Sequence, residues 1–108
     1  MAKEITRTAL AEAILSKDPP IVLEALGRKY YDAGHIPTAQ VLPPDELAKL
    51  VPALAPDAAK AIVVYCASDT CANSHQAAAW LIDRGYSDVA VYVGGKKDWI
   101  EAGLKLER

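Results

Sequence analysis

Residues 61–65, Ala-Ile-Val-Val-Tyr, are apolar throughout and stop abruptly at Cys66. So short a run, bounded by polar residues, reads as a strand. A strand apolar on both faces has to be covered on both, which places it at the centre of a parallel sheet with helices on either side. The polar loop Ala67-Ser68-Asp69-Thr70-Cys71-Ala72-Asn73 follows. A helical pattern then runs over about 74–84, with Ala77, Ala78, Leu81 and Ile82 on its apolar face and Gly85 closing it. This order sets the Cys66 thiol at the positive end of a helix dipole, among backbone N–H groups. Thiols so placed ionise readily and become nucleophiles, and such a loop makes a cradle for an anion. A depressed Cys66 pKa is the expectation, moderated by the opposing charge of Asp69.

The rest of the chain repeats the alternation. Leu10, Ala13 and Ile14 have helical spacing after Thr6 and Thr8, either of which suits a helix cap, and Asp18-Pro19-Pro20 stops that helix. Ile21-Val22-Leu23 reads as a buried strand, and Tyr30 to Gly34 as one helical turn closed by glycine. Residues 39–42 form a second short strand. Pro44-Asp45-Glu46 opens a helix with apolar face Leu47, Leu50, Val51 and Leu54, which Pro52 should break or kink near Val51. Residues 89–93 are a further apolar strand, and Gly94-Gly95 turns the chain into a last helix around 98–102. Alternating strands and helices predict an α/β fold with a mostly parallel sheet. Ligands in such sheets bind beyond the C-terminal strand ends, where the Cys66 loop lies.

At 108 residues the chain corresponds to a single domain spanning 1–108. Its 12 basic and 14 acidic residues leave a net charge of -2, so neither a nucleic-acid partner nor an acidic tail is expected. Segment 1–7 is charged and lacks the apolar core of a signal peptide, and no stretch approaches the roughly 20 apolar residues of a bilayer span. The expectation is a cytoplasmic protein without membrane contact, in which two cysteines serve as thiols with chemistry rather than as a structural bridge.

Three segments together resemble a rhodanese domain, the sulfurtransferase family. They are Tyr31-Asp32-Ala33-Gly34-His35-Ile36-Pro37-Thr38-Ala39, the strand Ile62-Val63-Val64-Tyr65-Cys66, and Gly85-Tyr86-Ser87-Asp88-Val89 through Val93-Gly94-Gly95, Trp99 and Ala102-Gly103-Leu104. They cover nearly the whole chain in the family's order and spacing. The resemblance implies a mostly parallel central sheet of about five strands with helices on both faces. It implies that Cys66 accepts a sulfane sulfur as a persulfide, and that residues 67–73 wrap that sulfur with their N–H groups. The donor would be thiosulfate or a small-molecule or protein persulfide, and the acceptor a thiol. No metal or organic cofactor is implied. The loop departs from a common six-residue form. It is about two residues longer, has no Lys or Arg, and contains Asp69. Thr38 stands at a usual glycine, and Glu24-Ala25-Leu26 where many members have Asp-Val-Arg.

Blander readings compete at each position. The bland reading of Cys66 is a buried structural thiol, but its place at a strand end favours the nucleophile. Cys71 is either loop filler or a resolving thiol that forms a disulfide with Cys66. Two thiols and His75 lack the paired spacing of a zinc site. His35 is expected to pack, His75 to face solvent, and Asn73 and Ser74 to cap the helix. Lys96 and Lys97 read as a solvated pair, although they lie at the same sheet end as Cys66. Trp80 and Trp99 read as packing residues. A phosphatase loop would need an arginine to bind phosphate, and none is present. Besides a sulfurtransferase, the chain is compatible with a dithiol redox module cycling Cys66 and Cys71, or with a non-catalytic interaction domain.

Overall fold

A computed structural model describes residues 2–108. Five parallel strands form one sheet: β1 (Lys3–Glu4), β2 (Ile21–Glu24), β3 (Gln40–Val41), β4 (Ile62–Tyr65) and β5 (Val89–Tyr92), in the order β1-β5-β4-β2-β3. The run at 62–65 lies at the centre, with Val63 opposite Val22 on one side and Ala90 on the other. Alternate residues face opposite ways along a strand, which explains the two apolar clusters. Leu23, Ile62, Val64, Val89 and Val91 pack beneath α3 (Leu47–Leu54) and α4 (Asn73–Asp83). Val22, Val63, Tyr65, Ala90 and Tyr92 pack against α1 (Arg7–Ile14) and α5 (Gly95–Glu101) through Leu10 and Trp99. The expected α/β architecture with helices on both faces is therefore present. Among the described residues no helix is long and apolar enough to cross a membrane.

Several local expectations shift. Thr6 is the cap of α1, its Oγ1 accepting from the Ala9 N–H at 3.1 Å. α2 spans Arg28–Ala33, two residues ahead of the expected turn. Pro44–Glu46 is a 3-10 turn leading into α3. Pro52 does not end α3 near Val51: the helix continues to Leu54, and the Ala55 N–H still bonds Val51 O at 2.8 Å. A proline removes its own donor and crowds the carbonyl four residues back, but Leu47, Leu50, Val51 and Leu54 keep the helix packed on the sheet. β1 had no counterpart in the sequence reading.

Thr38, at the usual glycine position, has φ 73°. That left-handed conformation is costly for a β-branched residue. Thr38→Gly is therefore expected to stabilise the fold by about 0.5–1 kcal/mol, after allowing for the entropy glycine loses on folding. Denaturant melts of the two proteins check this, and a less stable glycine variant contradicts it.

Candidate active site

Cys66 follows β4 at the C-terminal end of the sheet and is 1 % exposed. The loop after it is held from both sides. On the α5 side, the Lys96 N–H donates to Cys66 O and the Lys97 N–H to Ala67 O, each at 2.9 Å. Helix α5 starts at Gly95, not at 98, because this close approach needs a residue with no side chain. A Cβ on Gly95 would lie 2.5 Å from Cys66 O and 2.9 Å from Ser68 N, and its φ is +67°. On the other side, Asn73 Nδ2 donates to Ala25 O at 3.1 Å, tying the start of α4 to the end of β2. The residue preceding α4 is Ala72, without a side-chain cap. Asn73 and Ser74 are therefore not capping residues. Asn73 anchors the loop, and buried Ser74 lies under the thiol.

The expected ring of N–H groups around Cys66 is only partly present. Its Sγ lies 3.3 Å from Cys71 O, 3.4 Å from Ser74 Oγ and 4.0 Å from Ser68 O. Burial pushes the Cys66 thiol up, and contact with the Cys71 thiol adds to this; the Ser74 hydroxyl and N–H pull the other way without overcoming it. The expected depressed pKa of Cys66 is thus corrected, since carbonyl oxygens and desolvation favour the neutral thiol. Cys71 is the more acidic thiol. Burial opposes its ionisation, but hydrogen bonds from Cys66 and from the Asn73 and Ala67 N–H groups outweigh it and lower its pKa. The loop curls back through a Cys71 N–H bond to Ser68 O at 3.2 Å, which sets the Cys71 carbonyl beside Cys66 Sγ. Rising pH should therefore deprotonate Cys71 before Cys66. Site-resolved alkylation is expected to give a lower midpoint at Cys71 than at Cys66. The reverse order would contradict the geometry.

The remaining loop residues face outward. The Ser68 and Thr70 hydroxyls bond each other at 3.0 Å on the surface. Ala67, Asp69 and Ala72 are exposed. Asp69 lines a cavity of about 140 Å³ together with Gly94, Lys97, Asp98 and Glu101. Of its three carboxylates Asp98 is paired with Arg7 at 2.9 Å, which leaves Asp69 and Glu101 with Lys97. His75 is exposed. His35 packs as expected, stacked on the Tyr31 ring at 3.9 Å between centroids. Trp99 is buried, and Trp80 packs on the core with the Arg84 guanidinium over its ring. Among the described residues no cluster of His, Cys, Asp or Glu could hold a metal ion.

Beneath the loop lies a polar cluster that the sequence reading missed. Glu24 is fully buried and accepts from the Tyr65 hydroxyl at 2.7 Å. Tyr65 in turn accepts from the Ile36 N–H at 3.0 Å. Burial, reinforced by Glu24, holds the Tyr65 hydroxyl far above its ordinary range, so it stays a donor. Lys96 Nζ lies 3.2 Å from Glu24 Oε2 and donates to Tyr30 O at 2.7 Å. Lys96 is therefore not half of a solvated pair: its charge offsets Glu24 below the loop, and only Lys97 is exposed.

A central parallel sheet whose middle strand delivers a buried cysteine into a loop before a helix defines the class. The chain belongs to the rhodanese-like domain family, which matches residues 6–102. Over 67 residues it is 36% identical to the thiosulfate:glutathione sulfurtransferase of Saccharomyces cerevisiae, a match covering 62% of this chain. The chain thus spans about half the length of that curated relative, the matched region being 47% of it. Among solved structures it resembles thiosulfate sulfurtransferase from Pseudomonas aeruginosa, with TM-score 0.84 and 27% identity over 99% of this chain and 20% of that one. It also resembles a rhodanese-related protein from Thermoplasma volcanium, with TM-score 0.79 and 27% identity over 97% of each chain.

Proposed function

We propose that this chain is a sulfurtransferase that carries sulfane sulfur as a Cys66 persulfide. The observation that carries this reading is the position of Cys66 at the end of β4, in a loop leading into α4, within a family whose relatives above include proteins named as sulfurtransferases. The Cys66 thiolate attacks the sulfane sulfur of the donor. A new S–S bond forms, the donor's bond breaks, and the electron pair leaves with sulfite or with the donor thiolate. An acceptor thiolate then attacks the outer sulfur and regenerates the Cys66 thiolate. The Ser74 hydroxyl and N–H stabilise the Cys66 anion. The Ala67 and Asn73 N–H groups, which favour a thiolate at Cys71, are the donors available to the outer sulfur.

Thiosulfate is a dianion, and the loop meets it with backbone dipoles, an acidic Asp69 and no arginine. Weak thiosulfate binding and better use of a less charged or protein-borne persulfide follow. Each misplaced unit charge near a partly solvated site costs on the order of 1 kcal/mol. Asp69→Asn is expected to lower the KM for thiosulfate roughly five-fold at low salt, with the gain shrinking as salt is added. Sulfite release from thiosulfate with a thiol acceptor measures this. An unchanged KM at low ionic strength would remove loop charge as the determinant of donor preference. Absence of sulfur transfer from every sulfane donor would remove the sulfurtransferase reading itself.

A further inference from the structure

Cys71 takes no step in that cycle, yet its position is specific. The loop turns at residues 68–71, through the Cys71 N–H bond to Ser68 O. This brings the Cys71 carbonyl oxygen to 3.3 Å from Cys66 Sγ, so the two cysteines are neighbours across the turn. Burial opposes a thiolate at Cys71, but the Cys66 thiol and the Asn73 and Ala67 N–H groups outweigh it and lower its pKa. The two cysteines are free, and four residues, 67–70, separate them.

Resting on the persulfide reading above, we infer that Cys71 discharges the Cys66 persulfide within the loop when no acceptor thiol arrives. The Cys71 thiolate attacks Cys66 Sγ, the inner sulfur of the persulfide, whose outer sulfur carries the proton that departs with it. The Cys66–Cys71 S–S bond forms, the bond from Cys66 to the outer sulfur breaks, and the electron pair leaves on that sulfur as hydrosulfide. The two cysteine sulfurs are oxidised and the sulfane sulfur is reduced, so no outside oxidant is required. The 3.3 Å contact of the Cys71 carbonyl with Cys66 Sγ places residue 71 beside the atom this attack must reach. The disulfide leaves Cys66 without a thiol and the enzyme inactive. A thiol reductant restores both thiols and is itself oxidised to its disulfide. The loop therefore converts a stranded persulfide into hydrosulfide and a reversible off state.

The test loads the reduced full chain with a small persulfide donor, without oxygen and with excess reductant removed, and follows hydrosulfide and intact mass. The wild type is expected to release about one hydrosulfide per chain and to lose two hydrogens in mass. It should regain activity on addition of a dithiol. Cys71→Ser and Cys71→Ala are expected to gain one sulfur atom, hold it, and release no hydrosulfide until an acceptor thiol is added. If wild type and both variants gain a sulfur and hold it equally, the inference is overturned and the sulfurtransferase reading survives. If none of the three proteins gains or releases sulfur, both fall.

Discussion

Replacing Cys66 with serine is expected to abolish sulfur transfer, lowering turnover by on the order of a thousand-fold or more. Serine keeps the size of the buried side chain at the end of β4, so the loop bonds of Lys96 and Lys97 to residues 66 and 67 should survive. What is lost is the sulfur that forms the new S–S bond. The matching change at Cys71 should leave at least part of single-turnover persulfide formation, because Cys71 lies within the loop rather than at the strand end. If Cys71→Ser is instead the variant that eliminates sulfur loading, the nucleophile is Cys71. Its more acidic thiol makes this comparison a real one.

The second large effect concerns stability. Glu24 is fully buried, and Lys96 Nζ is the cation that faces its Oε2. That oxygen makes no aligned hydrogen bond among the described residues. Removing one partner of a buried ion pair leaves an uncompensated charge and costs about 3–5 kcal/mol. Lys96→Ala is therefore expected to destabilise the fold by that amount, a large share of the stability of a small domain. In a domain of this size the Tm should fall by more than about 10 °C. The double change Glu24→Leu with Lys96→Met should recover most of the loss, since an apolar pair of similar volume is often neutral there. Denaturant titrations of wild type, Glu24→Leu, Lys96→Met and the double variant give the coupling directly. A Lys96→Ala variant within about 1 kcal/mol of wild type would show that water reaches the carboxylate and that the pair is not closed.

Much of this was legible in the sequence, for reasons that differ by residue. The run at 61–65 fixed a central strand because nothing polar interrupts it before Cys66, and Ala77, Ala78 and Leu81 marked the buried face of α4. β1 was not legible. It is two exposed charged residues, and only pairing with β5 makes Lys3 and Glu4 a strand. The buried role of Glu24 was hidden as well. A glutamate after an apolar run reads as a strand end, and its partners Tyr65 and Lys96 come from β4 and α5, which only the folded sheet brings together. The direction of the Cys66 pKa was misread because strand–loop–helix order locates a thiol near N–H groups without saying which sulfur they reach. The turn at 68–71 leaves the Ser68 and Cys71 carbonyl oxygens facing Cys66, while the Ala67 and Asn73 N–H groups favour a thiolate at Cys71. Gly94-Gly95 read as a turn before the helix, whereas Gly95 already belongs to α5 and seats it against the loop.

The central claim is that Cys66 accepts the sulfur. Intact mass followed by peptide fragmentation of Cys71→Ser, after one exposure to a persulfide donor, tests it most directly, because only one cysteine remains to be modified. The expected result is a gain of one sulfur atom located on the peptide containing Cys66, lost again on addition of an acceptor thiol. A protein of unchanged mass, or a sulfur atom found on any other residue, would contradict it.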